Sequence, residues 1–150
     1  MNKTVILSLI AGVCLVGGFL VLDLNKDSTT DYKTIAYMIE GESIKLGSSG
    51  TRYFGNELRT DLNDDGREDV VFLITQDRGG TDMFYYAVAA LNTTQGYIGS
   101  YGYLLGDRVA PQTTEVSRNP RHKNVIVVNY AVQNEGKSAY LKLDLESMQW

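Results

Sequence analysis

Oxygen-bearing side chains recur at alternate positions of residues 61–69, here called the acidic loop. Alternate residues of a tightly wound loop point inward, and Gly66 permits the backbone reversal that aims the carbonyl of Arg67 at the same point. The predicted ligands are Asp61, Asn63, Asp65, the Arg67 carbonyl oxygen and Asp69. These hard oxygen donors favour one Ca²⁺ over Zn²⁺ or Cu²⁺.

The alternative for the acidic loop is a solvated surface turn that needs no metal. Its three carboxylates repel one another unless solvent or a cation neutralises them, which favours the metal. Residues 23–31 repeat the same acid and amide spacing, but Ser28 stands where Gly66 stands in the acidic loop. This second segment is therefore predicted to be a polar linker.

An EF-hand would require Glu at the twelfth loop position, where Phe72 stands within an apolar run. The acidic loop instead resembles the calcium loop of FG-GAP repeats, which leads directly into a strand such as residues 70–74. The resemblance implies the same five ligands. Asp64 stands where those loops usually have Gly, and the chain is too short for a propeller, so the resemblance implies a site and not a fold.

About half of the chain is also similar to a small-domain type of membrane-anchored proteins from uncultured small-genome bacteria. The segments that carry this similarity are residues 52–57, 61–69, 84–86 and 105–114. The resemblance implies a membrane-anchored domain without an established activity.

Three tyrosines form a second candidate site. Tyr97, Tyr101 and Tyr103 share one face if residues 97–103 are extended, and they lie among glycines. Such an aromatic face can stack on sugars or peptides. The alternative is that the rings cover a small β core with their hydroxyl groups in water.

No catalytic residue is assigned. His122 lies in a basic turn, residues 118–123, without a local nucleophile or orienting acid. The turn has the charge to contact anionic lipid or glycan, although balancing an acidic surface is the favoured account. A glycosidase would need two of the scattered acids to converge, and these are Asp77, Asp82, Asp107 and Glu115.

The N-terminus predicts an uncleaved membrane anchor over residues 1–22. Residues 5–22 carry no charge and as a helix would span about 27 Å, close to the hydrocarbon thickness of a bilayer. Lys3 precedes this span and acids follow it, which places the C-terminal part outside the cytoplasm, in the periplasm or at the cell surface. The alternatives are cleavage and lipidation at Cys14, which is instead interpreted as packed within the membrane helix.

Composition excludes several classes of protein. The 150 residues carry a formal net charge of −4 and include one Cys and one His. A generic nucleic-acid binder would be basic, and a disulfide scaffold or a zinc site built from Cys and His needs more of these residues.

The rest of the pattern predicts a polar linker at residues 23–34 and a mainly β domain at residues 35–150. Apolar and aromatic runs at 70–74, 83–91 and 125–132, with turn residues between them, favour an antiparallel sheet, sandwich or open barrel of about eight short strands. Alternation in residues 140–145 predicts that Leu141, Leu143 and Leu145 point inward. For residues 109–115 the pattern also allows a short helix.

Together these patterns predict a membrane-anchored, extracytoplasmic, calcium-binding β domain without catalytic activity. Its expected contacts are the lipid bilayer, through residues 5–22, and an envelope protein or glycan. The alternatives are an envelope glycan or peptide hydrolase that uses loop acids, and a purely structural surface spacer.

Overall fold

The computed structural model describes residues 31–150, which are mainly β. The ten strands are β1 (Ala36–Ile39), β2 (Glu42–Lys45), β3 (Thr51–Thr60), β4 (Asp69–Asp77), β5 (Met83–Thr93), β6 (Gly96–Gly99), β7 (Tyr103–Asp107), β8 (Ala110–Val116), β9 (Val125–Val132) and β10 (Glu135–Lys142). All strand pairs are antiparallel, and this part of the chain contains no helix. The prediction of a mainly β, antiparallel domain is confirmed.

The strands form three sheets. The central sheet has the order β3-β4-β5, with β6 and β7 both pairing with the free edge of β5. A second sheet has the order β10-β9-β8, and β1 and β2 form a separate hairpin. A turn at Glu40 and Gly41 joins β1 to β2, and β4 and β5 form an antiparallel hairpin.

Strand β4 is buried on both faces, which explains its continuous apolar sequence. Val71 and Leu73 belong to a core cluster shared with β9 and β10. Phe72 and Ile74 point to the opposite face and join a cluster that contains Tyr37 of the β1–β2 hairpin. Because successive strand side chains alternate between faces, the central sheet needs a cover on each side. The result is a sandwich-like arrangement with the hairpin added outside.

The predicted strand number was too low. Residues 97–103 were expected to be one extended segment but belong to two strands, β6 and β7, separated at Ser100. Ser100 is buried there, and its Oγ accepts a hydrogen bond from the backbone N–H of Ala89 at 2.8 Å. Residues 110–116 form β8, so the segment near residues 109–115 contains a strand and no helix.

The predicted alternation at the C-terminus holds only in part. Leu141 and Leu143 are buried, but Leu145 is 45% exposed. Strand β10 ends at Lys142, and the Asp144 carboxylate then accepts the backbone N–H of Glu146 at 2.9 Å. This turn takes Leu145 out of the strand pattern.

The predicted anchor, Cys14 and the predicted linker up to residue 30 lie outside the described residues. The last part of that linker contributes Tyr32, which is 8% exposed and packs edge-on against Phe72 with ring centroids 5.4 Å apart. Between residues 31 and 150, no helix has the length and apolarity needed to cross a membrane.

Candidate functional site

The acidic loop connects β3 to β4, and Asp61 organises its first half. The Asp61 Oδ2 atom accepts the backbone N–H of Gly66 at 2.8 Å, and its Oδ1 atom accepts those of Asn63 at 3.3 Å and Asp65 at 3.2 Å. Such side-chain to backbone bonds are the usual way in which Asp stabilises a turn. Asp61 therefore holds the loop wound around its own carboxylate.

Asn63 and Asp65 lie in the same turn. The backbone N–H of Asp65 donates to Asn63 Oδ1 at 3.2 Å as well as to Asp61 Oδ1. Because one N–H group serves both oxygen atoms, these two oxygens lie close together. The Asn63 amide in turn donates to Asp65 Oδ2 at 3.2 Å. The structure thus gathers three of the predicted ligands.

Arg67 contacts Asp65 directly. Its backbone N–H donates to Asp65 Oδ1 at 2.8 Å, and its guanidinium forms an ion pair with Oδ2 at 3.1 Å. The backbone bond from Arg67, assisted by Asn63 and the guanidinium, lowers the pKa of Asp65 below its usual range. The Arg67 side chain therefore neutralises one of the predicted ligands.

Gly66 has the backbone conformation that its predicted role requires. Its φ of +82° lies in the left-handed region, and no neighbouring atom would contact a Cβ placed there. Glycine is favoured for its backbone conformation and not for lack of space. Asp64 also has a positive φ, of 59°, which Asp tolerates better than most residues.

Asp69 lies beneath the loop and is fully buried. Its Oδ2 accepts the backbone N–H of Leu62 at 2.7 Å, and its Oδ1 accepts that of Asn92, at the end of β5, at 2.8 Å. Burial raises the pKa of Asp69, and the charges of Asp65 and Asp61 add to this effect. Asp69 thus anchors the loop to the central sheet. Each of its two carboxylate oxygens accepts a backbone N–H, one from the loop and one from β5.

Sequence reasoning missed two residues of the β8–β9 connection that hold the loop from outside. Lys123 Nζ lies 2.7 Å from Asp64 Oδ2, and this contact lowers the pKa of Asp64. The Asn124 amide donates to the Leu62 carbonyl at 2.9 Å. The acidic loop is consequently tied to a segment about 60 residues away in sequence.

The donor set fits a hard cation in its chemistry. Asp61 Oδ2 and Asp65 Oδ1 each accept one backbone hydrogen bond and keep a second lone pair, whereas Asp61 Oδ1 and Asp65 Oδ2 each accept two bonds. Within residues 31–150, acidic, His and Cys side chains form no group of three that could hold a metal ion. Asp61, Asn63 and Asp65 would hold the ion, with Asp69 as a buried negative charge below them.

The three tyrosines of the second candidate site do not share one face. Tyr97 packs against the cluster of Phe72, whereas Tyr103 pairs with Ala87, whose side chain belongs to the opposite cluster. Tyr101 follows the crossover at Ser100, where the chain leaves β6. The division of this segment into β6 and β7 separates the rings.

His122 and the four scattered acids take no part in the hydrogen bonds described for the acidic loop. The His122 ring packs edge-on to Tyr140, with centroids 6.4 Å apart. Asp107 forms an ion pair with Arg108 at 3.0 Å, and Asp77 caps the turn at Gly79 through a 2.8 Å bond. These contacts give Asp77 and Asp107 structural partners.

Comparison of the chain with protein-family models, with curated proteins and with solved structures finds no match. The assignment of function therefore depends on the geometry of the site and on the sequence patterns.

Proposed function

We propose that the chain is a membrane-anchored, extracytoplasmic β domain that binds one Ca²⁺ at the acidic loop and acts as a non-catalytic interaction module. The observation that carries the proposal is that hydrogen bonds hold Asp61, Asn63 and Asp65 in one turn, while Asp61 Oδ2 and Asp65 Oδ1 each accept only one bond. Carboxylate and amide oxygens held by the backbone suit a cation that prefers oxygen ligands.

The position of the loop indicates what bound calcium would do. Asp69 links the loop to β5, and Asn124 links it to the β8–β9 connection. Ordering of the loop would thus stabilise contacts to two sheets. At extracellular calcium of about 1 mM and a dissociation constant of about 10⁻⁴ M, linkage stabilises the fold by about 1.4 kcal/mol.

The test is a melting curve of the full-length chain in detergent, with about 1 mM calcium and then with excess EGTA. We expect calcium to raise the melting temperature by an amount on the order of 5 °C. Asp61→Asn and Asp65→Asn should each remove the difference. Asp82→Asn, an exposed acid outside the loop, is the matched control and should keep it. Identical wild-type curves in the two buffers would contradict calcium binding.

Localisation is tested separately, by adding protease to intact spheroplasts of a bacterial host that expresses the chain. We expect residues 31–150 to be digested from outside, since the acids after the predicted span favour export. Protection until the membrane is permeabilised would contradict the extracytoplasmic assignment.

A further inference from the structure

The outer face of the β10-β9-β8 sheet carries a cleft of about 390 Å³. The connection from β8 to β9 forms one wall. Glu115 pairs with Val127, and Val127 pairs with Tyr140, so these residues form a row across three strands. Val128, next to Val127 in β9, points into the core. Because successive strand side chains alternate between faces, the row that contains Val127 faces away from the core.

Tyr140 supplies an aromatic surface in this cleft. It is 63% exposed, whereas its neighbour Val127 is only 8% exposed. His122 packs edge-on to the Tyr140 ring, with an interplanar angle of 80°. The ring is therefore supported from the side, while most of its surface stays open to solvent.

A polar network lies beside the aromatic ring. The Asn129 amide donates to Thr113 Oγ1 at 2.8 Å and to Glu115 Oε1 at 3.3 Å, and Asn129 Oδ1 accepts the Ser138 hydroxyl at 2.6 Å. These bonds fix the orientation of Asn129 and of the Glu115 carboxylate. Arg118 lies 3.6 Å from the other Glu115 oxygen, so both charges of the cleft are compensated.

This combination is complementary to a saccharide. A pyranose ring has an apolar C–H face that stacks on an aromatic ring, and hydroxyl groups that both donate and accept hydrogen bonds. The distance from β10 to β8 is two strand spacings, about 10 Å, and the cleft volume lies within the ~300–1,000 Å³ range of small-molecule sites. The paired charges of Glu115 and Arg118 favour an uncharged ligand.

We propose that this cleft binds an uncharged saccharide, with a sugar ring stacked on Tyr140 and hydroxyl groups bonded to Glu115 and Asn129. The proposal gives the interaction module of the proposed function its ligand class. It rests on that interaction role but does not require calcium.

The test is saturation-transfer difference NMR on the full-length chain in a sugar-free detergent with EGTA. The probes are soluble disaccharides to tetrasaccharides of glucose, N-acetylglucosamine, galactose and mannose. Tyr140→Ala removes the stacking surface, and Glu115→Gln removes the charged acceptor. The matched control is Phe54→Ala, which removes another exposed aromatic ring, on strand β3 of the central sheet.

We expect at least one probe to bind, with affinity reduced about tenfold or more in Tyr140→Ala and in Glu115→Gln and unchanged in Phe54→Ala. Since Tyr140 is mostly exposed, its variant should keep the wild-type melting temperature. Absence of binding by every probe, or equal binding by wild type and both cleft variants, would overturn the proposal. Because EGTA is present throughout, failure of calcium binding leaves this result intact, and the melting curves report that failure separately.

Discussion

The carboxylate of Asp69 accepts a hydrogen bond from the backbone N–H of Asn92 at 2.8 Å, across 23 residues of sequence. The Asn92 side-chain amide donates a longer hydrogen bond, of 3.3 Å, to the carbonyl oxygen of Glu68. The two residues thus join the start of β4 to the end of β5. This contact fixes the base of the acidic loop independently of any ion.

The first prediction concerns this buried contact. Asp69→Ala should destabilise the fold by about 1–3 kcal/mol, because the N–H groups of Leu62 and Asn92 lose their acceptor. Urea unfolding in EGTA measures this loss without calcium. Asp82→Ala, at an exposed turn, should stay within about 0.5 kcal/mol of wild type. Equal stabilities of the two variants would show that Asp69 does not hold the loop.

The second prediction concerns the guanidinium that competes for Asp65. Arg67→Gln should strengthen calcium binding several-fold, because it removes a positive charge 3.1 Å from a predicted ligand oxygen. Competition with a fluorescent chelator measures the dissociation constant. Arg108→Gln removes a similar pair with a neighbouring aspartate, Asp107, outside the loop, and should leave the constant unchanged. Weaker binding in Arg67→Gln would argue that Asp65 is not a ligand.

The third prediction separates backbone strain from metal binding. Gly66→Ala and Gly79→Ala both place a side chain at positive φ in open space, so each should cost about 1–2 kcal/mol in stability. Only Gly66→Ala should also weaken calcium binding, since only Gly66 shapes the acidic loop. Urea unfolding and the chelator competition provide the two readouts. Equal calcium affinity in both variants would contradict the role of Gly66.

The fourth prediction concerns high pH. Burial, with a hydrogen bond to Glu40, raises the pKa of Tyr86 to about 12. An unfolded tyrosine ionises near pH 10, so the folded state keeps a proton that the unfolded state loses. Stability should therefore fall as pH rises from about 10 towards 12. Tyr86→Phe should make this decline less steep in urea unfolding, whereas the exposed Tyr140→Phe should not.

Much of the fold could be predicted from local sequence. The apolar runs of β4, β5 and β9 and the glycine turn at residues 79–80 specify strands and a hairpin without further information. Strand β8 could not be predicted in this way, because its residues are mostly polar and only partly buried. Pro111 also weakens the strand pattern, although an edge strand tolerates proline.

The local part of the candidate site was also accessible from sequence. Asp61, Asn63, Asp65 and Gly66 interact over a few residues, so their spacing indicates the turn. The partners from distant segments were not accessible. Asn92 becomes identifiable only after the β4–β5 register, which pairs Val70 with Ala90, brings the end of β5 beside the start of β4. The contact of Lys123 depends on how two sheets pack.

The position of Tyr32 has a practical consequence for any shortened version of this protein. Tyr32 covers Phe72 and donates its hydroxyl to Glu57, although it lies before the first strand. A chain that begins at residue 35 would lack Tyr32 and would expose apolar surface of the central sheet to water. Aggregation of such a fragment would result from the loss of Tyr32, so a secreted version should begin no later than residue 31.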